Sequence, residues 1–159
     1  MKKIITILAL LLIIMNSFSQ EVKVVKIEEL KKIYSKQNDT TYIINFFASW
    51  CAPCMMEIPV LNKFYEENKN TTNQLIYVSL DNVQYLKKMP KLITKMKMQA
   101  PIFLLNESND FSWLPLIDKR WQGSIPATMI INHKKNVKAF FETPLEKGQL
   151  EFYLRKLGL

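Results

Sequence analysis

The chain has 159 residues, of which 48% are apolar, and a formal net charge of +8 at pH 7. This length and composition allow one domain with a real hydrophobic core and argue against two domains. The excess lysines are scattered, which favours solvated surface faces, with adhesion to an anionic membrane surface as the alternative. With only three glycines, the chain contains no Gly-rich phosphate-binding loop, and it also lacks a nucleophile elbow.

The N-terminal segment has the three parts of a secretory signal. Residues 1–3 are basic, residues 4–15 are apolar, and residues 16–19 end in a small-x-small cleavage pattern. The apolar run holds about a dozen residues, fewer than the roughly 20 that span a bilayer, so cleavage is favoured over a retained anchor. We predict a signal peptide at residues 1–19 and a mature domain at 20–159. The mature protein would be exported to the periplasm or another extracytoplasmic face of the cell envelope, with no nucleic-acid partner.

The predicted elements of the mature chain alternate between strands and helices. In chain order they are a strand over 22–25, a helix over 27–35, a strand over 42–48, a helix over 52–68, a strand over 75–79, a helical stretch over 83–96 and a strand over 102–105. Residues 106–123 are predicted to be irregular or partly helical, followed by strands over 128–131 and 137–141 and a closing helix over 145–157. This order predicts an α/β fold, a mixed central sheet with helices on both faces.

The chain's only two cysteines stand where an apolar strand runs into a helix, in the segment NFFASWCAPC over residues 45–54. Backbone N–H groups in the first helical turn have no intrahelical partners and the helix dipole is positive there, so a thiolate at Cys51 is favoured. Cys54 lies one turn further on the same face and is the expected resolving thiol. Pro53 stiffens the turn between them. The pattern predicts a pair that cycles between dithiol and disulfide.

Other interpretations of the two cysteines remain open. A plain disulfide staple would stabilise so short a loop by only about 2 kcal/mol. Half of a zinc site would need further ligands, and His133 is the only histidine. A thiol peroxidase would need a Thr and an Arg beside its cysteine, and neither Arg120 nor Arg155 is adjacent to Cys51 in the sequence. A copper-binding module would use both thiols as ligands. We expect no metal and no cofactor.

The segment around the cysteines, continued by Glu57 and Pro59, resembles the active-site signature of thioredoxin-like proteins. It is most similar to the TlpA/ResA group of exported thiol-disulfide oxidoreductases. A second motif, GSIPAT over residues 123–128, stands before an apolar strand, where this family carries its cis-proline loop. The run over 75–81 resembles the family's next core strand, so the likeness covers about residues 41–157. The resemblance implies a thioredoxin fold.

The resemblance also implies how a substrate would be held. Pro126 would face the disulfide, and a cis Ile125–Pro126 bond would turn the backbone of Ile125 towards an extended substrate chain. Trp50, directly before the first cysteine, is expected to cover one side of the site. Together with Pro53 these residues form the predicted substrate-binding set.

Glu57 is the third predicted catalytic residue, beside Cys51 and Cys54. In the TlpA/ResA group the glutamate of this motif is linked to proton handling at the thiols. Ordinary thioredoxins have an aspartate at the place of Asn45, whose amide cannot accept a proton, so Glu57 is expected to be the only nearby carboxylate. If it is partly buried, its pKa should be raised. A surface glutamate without a catalytic role is the alternative.

The activity that the resemblance implies is thiol-disulfide exchange, in the direction that reduces protein disulfides. Its most specific form would be reduction of the haem-attachment cysteines of apocytochrome c, with electrons from a membrane thiol-disulfide donor. General exchange or repair of disulfides in exported proteins is the alternative. We expect a monomer whose partners are protein dithiol or disulfide substrates.

Overall fold

The computed structural model describes residues 21–108 and 110–159. Its strands are Lys23–Val25 (β1), Thr41–Phe47 (β2), Asn73–Ser79 (β3), Ile102–Leu105 (β4), Ala127–Asn132 (β5) and Val137–Phe141 (β6). Its helices are Ile27–Tyr34 (α1), Ala52–Asn68 (α2), Met89–Met96 (α3), Leu114–Ile117 (α4) and Gln149–Lys156 (α5), with a 3-10 helix at Val83–Lys88. The predicted signal peptide lies outside the described residues, and no helix within them is long and apolar enough to cross a membrane.

The strands form one six-stranded sheet in the order β1-β4-β3-β2-β5-β6. Strands β1, β4, β3 and β2 run parallel, whereas β5 is antiparallel to β2 and β6 is antiparallel to β5. All residues of the central strand β2 are buried, as expected for a strand covered on both sides. The predicted α/β class with a mixed central sheet is confirmed.

Each face of the sheet has its own hydrophobic core, because successive side chains of a strand point to opposite sides. Ile43 and Phe47 of β2 pack on the side that carries α2, α3 and α5. Ile44 and Phe46 pack on the other side, against residues of α1 and α4. Helices therefore cover both faces, as the sequence predicts.

The closing helix begins later than predicted, at Gln149 instead of residue 145. Gly148 has a φ of 82°, a left-handed conformation that does not continue a helix and that glycine adopts without steric cost. The N–H of Leu145 donates instead to the Glu57 carboxylate, at 3.1 Å. The segment before α5 is therefore held by a tertiary contact to α2.

The helical stretch predicted over 83–96 is divided into the 3-10 helix and α3. Pro90 lies in the first turn of α3. Proline lacks a backbone N–H and its fixed φ suits the start of a helix, so a new helix begins at this point. Lys87 and Lys88 lie in the 3-10 helix, and Lys91 and Lys95 lie in α3.

The topology brings three loops to one edge of the sheet. The carboxyl ends of the parallel strands β2 and β3 meet at the same edge. Strand β5 runs in the opposite direction, so it begins where β2 ends, and Ala127 pairs with Phe46. The loops before α2, after β3 and before β5 therefore converge.

Candidate active site

Cys51 and Cys54 form a disulfide at the N-terminus of α2, with an Sγ–Sγ distance of 2.04 Å. Cys51 is the N-cap residue, and its Sγ accepts a hydrogen bond from the Cys54 N–H at 3.2 Å. This N–H is one of the first-turn donors without an intrahelical partner, so after reduction it would stabilise a thiolate at Cys51. Cys51 is 5% exposed and Cys54 is 1% exposed, so Cys51 is the more accessible residue of the pair.

The predicted proline loop lies against this disulfide. The Ile125–Pro126 peptide bond is cis, as the sequence predicts. The Ile125 carbonyl oxygen is 3.7 Å from Cys51 Sγ, while Pro126 is buried and Ile125 is half-buried. In the disulfide Cys51 Sγ carries no hydrogen, so this is a contact and not a hydrogen bond. After reduction, a thiol at Cys51 could donate a hydrogen bond to the carbonyl.

Side chains on both sides anchor the proline loop. The Glu142 carboxylate accepts hydrogen bonds from the N–H groups of Gln122 and Ser124, at 3.2 and 3.3 Å. The buried indole N–H of Trp121 donates to the Ser124 carbonyl at 2.9 Å. Between them Gly123 has a φ of 91°, which favours glycine. These contacts hold the loop in place beside the cysteines.

Glu57 is buried one turn beyond Cys54, with 2% of its surface exposed. Its Oε2 accepts a hydrogen bond from Asn45 Nδ2 at 3.3 Å, and its Oε1 accepts one from the Leu145 N–H at 3.1 Å. Burial raises the pKa of Glu57 to about 7, although these two hydrogen bonds act to lower it. The alternative of a surface glutamate is therefore wrong, and the pKa of the buried carboxyl is raised, as expected for a buried carboxyl group.

Asn45 holds the Glu57 carboxylate in a fixed place. Its amide nitrogen also donates to Thr128 Oγ1 on β5, at 3.0 Å. The side chain therefore links α2 to the strand that follows the proline loop. An amide has two N–H donors, so both of these bonds can form at once.

A second buried carboxylate, Asp81, lies beneath the loop before the cysteines. Its Oδ2 and Oδ1 accept hydrogen bonds from the Ser49 N–H at 2.9 Å and from the Ser49 hydroxyl at 2.7 Å. Its Oδ2 also accepts from the Ser79 hydroxyl at 2.8 Å, and the residue is 4% exposed. The expectation that Glu57 is the only nearby carboxylate is therefore wrong. Asp81 holds the backbone two residues before Cys51.

Sequence reasoning gave Asp81 no role, although a signal was present. An aspartate lies two residues after the end of β3, and the strand β2, parallel to β3, ends at the cysteine motif. Because the carboxyl ends of parallel strands share one edge, a polar residue there is a candidate for contact with the neighbouring loop.

We expect Asp81→Asn to lower the free energy of unfolding by about 1–3 kcal/mol. The amide keeps the shape of the side chain, but its nitrogen cannot accept the hydrogen bonds that the carboxylate oxygen accepts. Urea unfolding of the oxidised protein measures the change. Asp39→Asn, at an exposed carboxylate paired with Lys134, is the matched control and should have a much smaller effect. Equal losses of unfolding free energy in the two variants would mean that the buried hydrogen bonds of Asp81 stabilise the fold no more than an exposed ion pair does.

Two apolar side chains beside the cysteines are open to solvent. Trp50 is 72% exposed and Met56 is 78% exposed, and Pro53 is also exposed. Trp50 therefore offers most of its surface to solvent, and its expected place over one side of the site stays a prediction. Exposed apolar side chains near a reactive pair are available for contact with a partner.

Comparison with known proteins agrees with this geometry. The model of the AhpC/TSA family matches residues 17–140. Thioredoxin Y2, chloroplastic, of Arabidopsis thaliana is 28% identical over 102 residues, 64% of this chain and 53% of that protein. Sporulation thiol-disulfide oxidoreductase A of Bacillus subtilis is 26% identical over 110 residues, 69% of this chain and 63% of that protein. The chain thus spans less than two thirds of the length of these relatives.

Among solved structures, a thiol:disulfide interchange protein of the thioredoxin family from Chlorobium tepidum aligns with a TM-score of 0.63. The two chains are 20% identical, and the alignment covers 77% of this chain and 83% of that one. This likeness confirms the predicted thioredoxin fold. Because the family model spans most of the sequence, including the cysteine pair and the proline loop, the chain belongs to the AhpC/TSA family of thioredoxin-like proteins.

Proposed function

We propose that the protein is a thiol-disulfide oxidoreductase whose reactive group is the Cys51–Cys54 pair. The observation that carries this proposal is the pair's position, at the start of α2 with the Cys54 N–H directed at Cys51 Sγ. The name of the Bacillus subtilis relative, a sporulation thiol-disulfide oxidoreductase, supports the same activity. A disulfide that only stabilised the fold would not need its more accessible cysteine to lie beside a backbone N–H donor and the proline loop.

In the reducing direction the exchange takes two steps. The Cys51 thiolate attacks one sulfur of a client disulfide, forms a mixed disulfide and expels the other client sulfur as a thiolate. The Cys54 thiolate then attacks Cys51 Sγ, which closes the Cys51–Cys54 disulfide and releases the second client thiolate. Two electrons pass from the protein dithiol to the client, so a thiol-disulfide donor must reduce the protein again.

Glu57 is the proposed proton acceptor and donor for the pair. A carboxyl group with a pKa of about 7 exchanges protons readily near neutral pH, and here burial is the main cause of that pKa. Its place one helical turn after Cys54 suits deprotonation of the resolving thiol. The hydrogen bond from Asn45 would keep the carboxylate oriented in both protonation states.

A client chain would bind beside the disulfide on the proline loop. The Ile125 carbonyl, 3.7 Å from Cys51 Sγ, is at the right distance to pair with the backbone of a substrate whose cysteine approaches that sulfur. Pro126 supports this loop, and the exposed Trp50 and Pro53 would contact the client from the other side.

The client class follows from the predicted signal at residues 1–19. We assign the mature protein, residues 20–159, to the extracytoplasmic side of the cell envelope, as a monomer. Reduction of the haem-attachment cysteines of apocytochrome c, with electrons from a membrane thiol-disulfide donor, is the most specific role. General repair of disulfides in exported proteins is the alternative. Mass spectrometry of exported protein should find Gln20 as the first residue, and retention of Met1 would contradict the cleavage.

The proposed activity is tested by reduction of insulin disulfides in the presence of dithiothreitol, measured beside the consumption of hydrogen peroxide. We expect the protein to accelerate insulin reduction and to leave peroxide consumption near its uncatalysed rate. The reason is that a peroxidatic cysteine needs an adjacent arginine, whereas Arg120 pairs with the Asp118 carboxylate at 2.9 Å and Arg155 lies in α5. Rapid peroxide consumption without insulin reduction would instead support a thiol peroxidase.

A further inference from the structure

A basic groove opens beside the cysteine pair. It is a cavity of about 630 Å³, and one wall includes Ser49 and Met55, residues adjacent to the cysteine motif on its two sides. The opposite wall comes from the 3-10 helix and α3. Four exposed lysines lie along that wall: Lys87, Lys88, Lys91 and Lys95. We call this cavity the lysine groove.

The lysine groove carries a local excess of positive charge. Residues 82–106 contain five lysines and no acidic residue. Within the described part of the chain, no ion pair involves any lysine of the groove. The nearest carboxylate in sequence is Asp81, which is buried and already accepts hydrogen bonds from Ser49 and Ser79. The groove therefore presents a concentrated positive potential to solvent.

The inner surface of the groove is suited to a polypeptide. Leu92 is buried and Met55 is half-buried in its lining, and the four lysines of the same lining are exposed. The Lys88 ammonium lies 5.7 Å from the centre of the Tyr85 ring, which also lines the groove. A lining that combines apolar, aromatic and cationic side chains matches a polypeptide segment that carries carboxylate groups.

We propose that the lysine groove binds an acidic segment of the client protein next to the client's cysteine. This inference rests on the proposed thiol-disulfide activity, because it names the kind of substrate that activity would act upon. A segment lying between Ser49 and the lysines is directed towards the start of α2 and Cys51. A membrane surface is the competing occupant of a lysine-rich face, but a flat layer of headgroups does not fill a concave cavity beside a reactive disulfide.

The test compares two peptides with the same internal disulfide, one flanked by a run of aspartates and the other by a run of glutamines. The rate of exchange with the reduced protein gives kcat/KM for each peptide. We expect the aspartate peptide to react about tenfold faster at low salt, because steering towards an opposite charge raises the association rate. The preference should almost disappear at about 1 M salt, where the Debye length is only about 3 Å.

Matched variants locate the effect. Lys91→Gln combined with Lys95→Gln should reduce the preference for the aspartate peptide several-fold, and Lys91→Arg with Lys95→Arg should restore it. Lys32→Gln combined with Lys36→Gln removes the same charge from α1 and from the residues directly after it. Because α1 packs on the other face of the sheet, this pair should leave the preference unchanged. Far-ultraviolet circular dichroism checks that all variants are folded.

Three outcomes would overturn the proposal. The two peptides could react at equal rates, or the two glutamine double variants could lose the aspartate preference equally. In the third, the Lys91/Lys95 glutamine variant loses binding to phosphatidylglycerol vesicles but keeps the wild-type peptide preference. The last would make the lysines a membrane contact. If neither peptide reacts, the proposed activity fails instead. Docking is then judged separately by the fluorescence anisotropy of a labelled aspartate peptide with serines in place of its cysteines. Tighter binding of that peptide to the wild type than to the Lys91/Lys95 glutamine variant supports the groove, and equal binding overturns it.

Discussion

Cys51→Ser is expected to lower the rate of insulin reduction by at least about a thousandfold, because the attacking thiolate is removed. The serine hydroxyl is close to the size of the thiol, and serine is a favourable N-cap residue that can still accept the Cys54 N–H. The fold should therefore be retained, and the loss should be a loss of chemistry. Turbidity of precipitating insulin chains measures the rate.

Ser49→Ala is the control for this variant. It removes a hydroxyl from the same loop, hydrogen-bonded to Asp81 at 2.7 Å, without touching a sulfur. We expect it to lower stability while it retains most of the exchange rate. If Cys51→Ser kept the wild-type rate, Cys54 or another group would have to be the nucleophile.

Glu57→Gln is expected to change how stability depends on pH. The pKa of Glu57 is about 7 in the folded protein, against an ordinary value of 4.5, because the side chain is buried. Between these values the folded state holds a proton that the unfolded state has released. The stabilisation that protonated Glu57 contributes is therefore complete below about pH 4.5 and is lost as pH rises through about 7. The loss should be about 3 kcal/mol, from 1.36 kcal/mol per pKa unit.

Urea unfolding of the oxidised wild type and of Glu57→Gln, from pH 4.5 to pH 8, measures this loss. The glutamine is neutral throughout this range. We therefore expect the wild type to lose unfolding free energy relative to Glu57→Gln as pH rises. For the control Glu66→Gln, on the exposed side of the same helix, the plot of unfolding free energy against pH should be parallel to that of the wild type. A Glu57→Gln curve parallel to the wild type would show that the carboxyl group ionises normally.

Elements defined by local patterns could be predicted closely from the sequence. The helix Ala52–Asn68 and the strands Ile102–Leu105 and Val137–Phe141 have the predicted bounds. Each is an apolar or amphipathic run bordered by turn residues, so its limits depend on nearby residues alone. The cysteine pair is also a short local motif, whereas the proline loop was predicted from the resemblance of residues 123–128 to a family motif.

The features that the sequence did not predict depend on contacts between distant residues. The Glu57 carboxylate meets the Leu145 N–H across 88 positions of sequence, in the segment before the closing helix. Asp81 meets Ser49 across 32 positions. Only the register of β2 beside β3 brings Asp81 and Ser49 together, and periodicity within one segment carries no information about it.

The central claim is that exchange begins at Cys51 and is completed by Cys54. Reduced Cys54→Ser, mixed with a disulfide peptide, quenched with acid and analysed by mass spectrometry, tests it most directly. We expect a stable mixed disulfide between the peptide and Cys51, with no corresponding adduct in Cys51→Ser. An adduct at Cys54 in Cys51→Ser, with none in Cys54→Ser, would contradict the account.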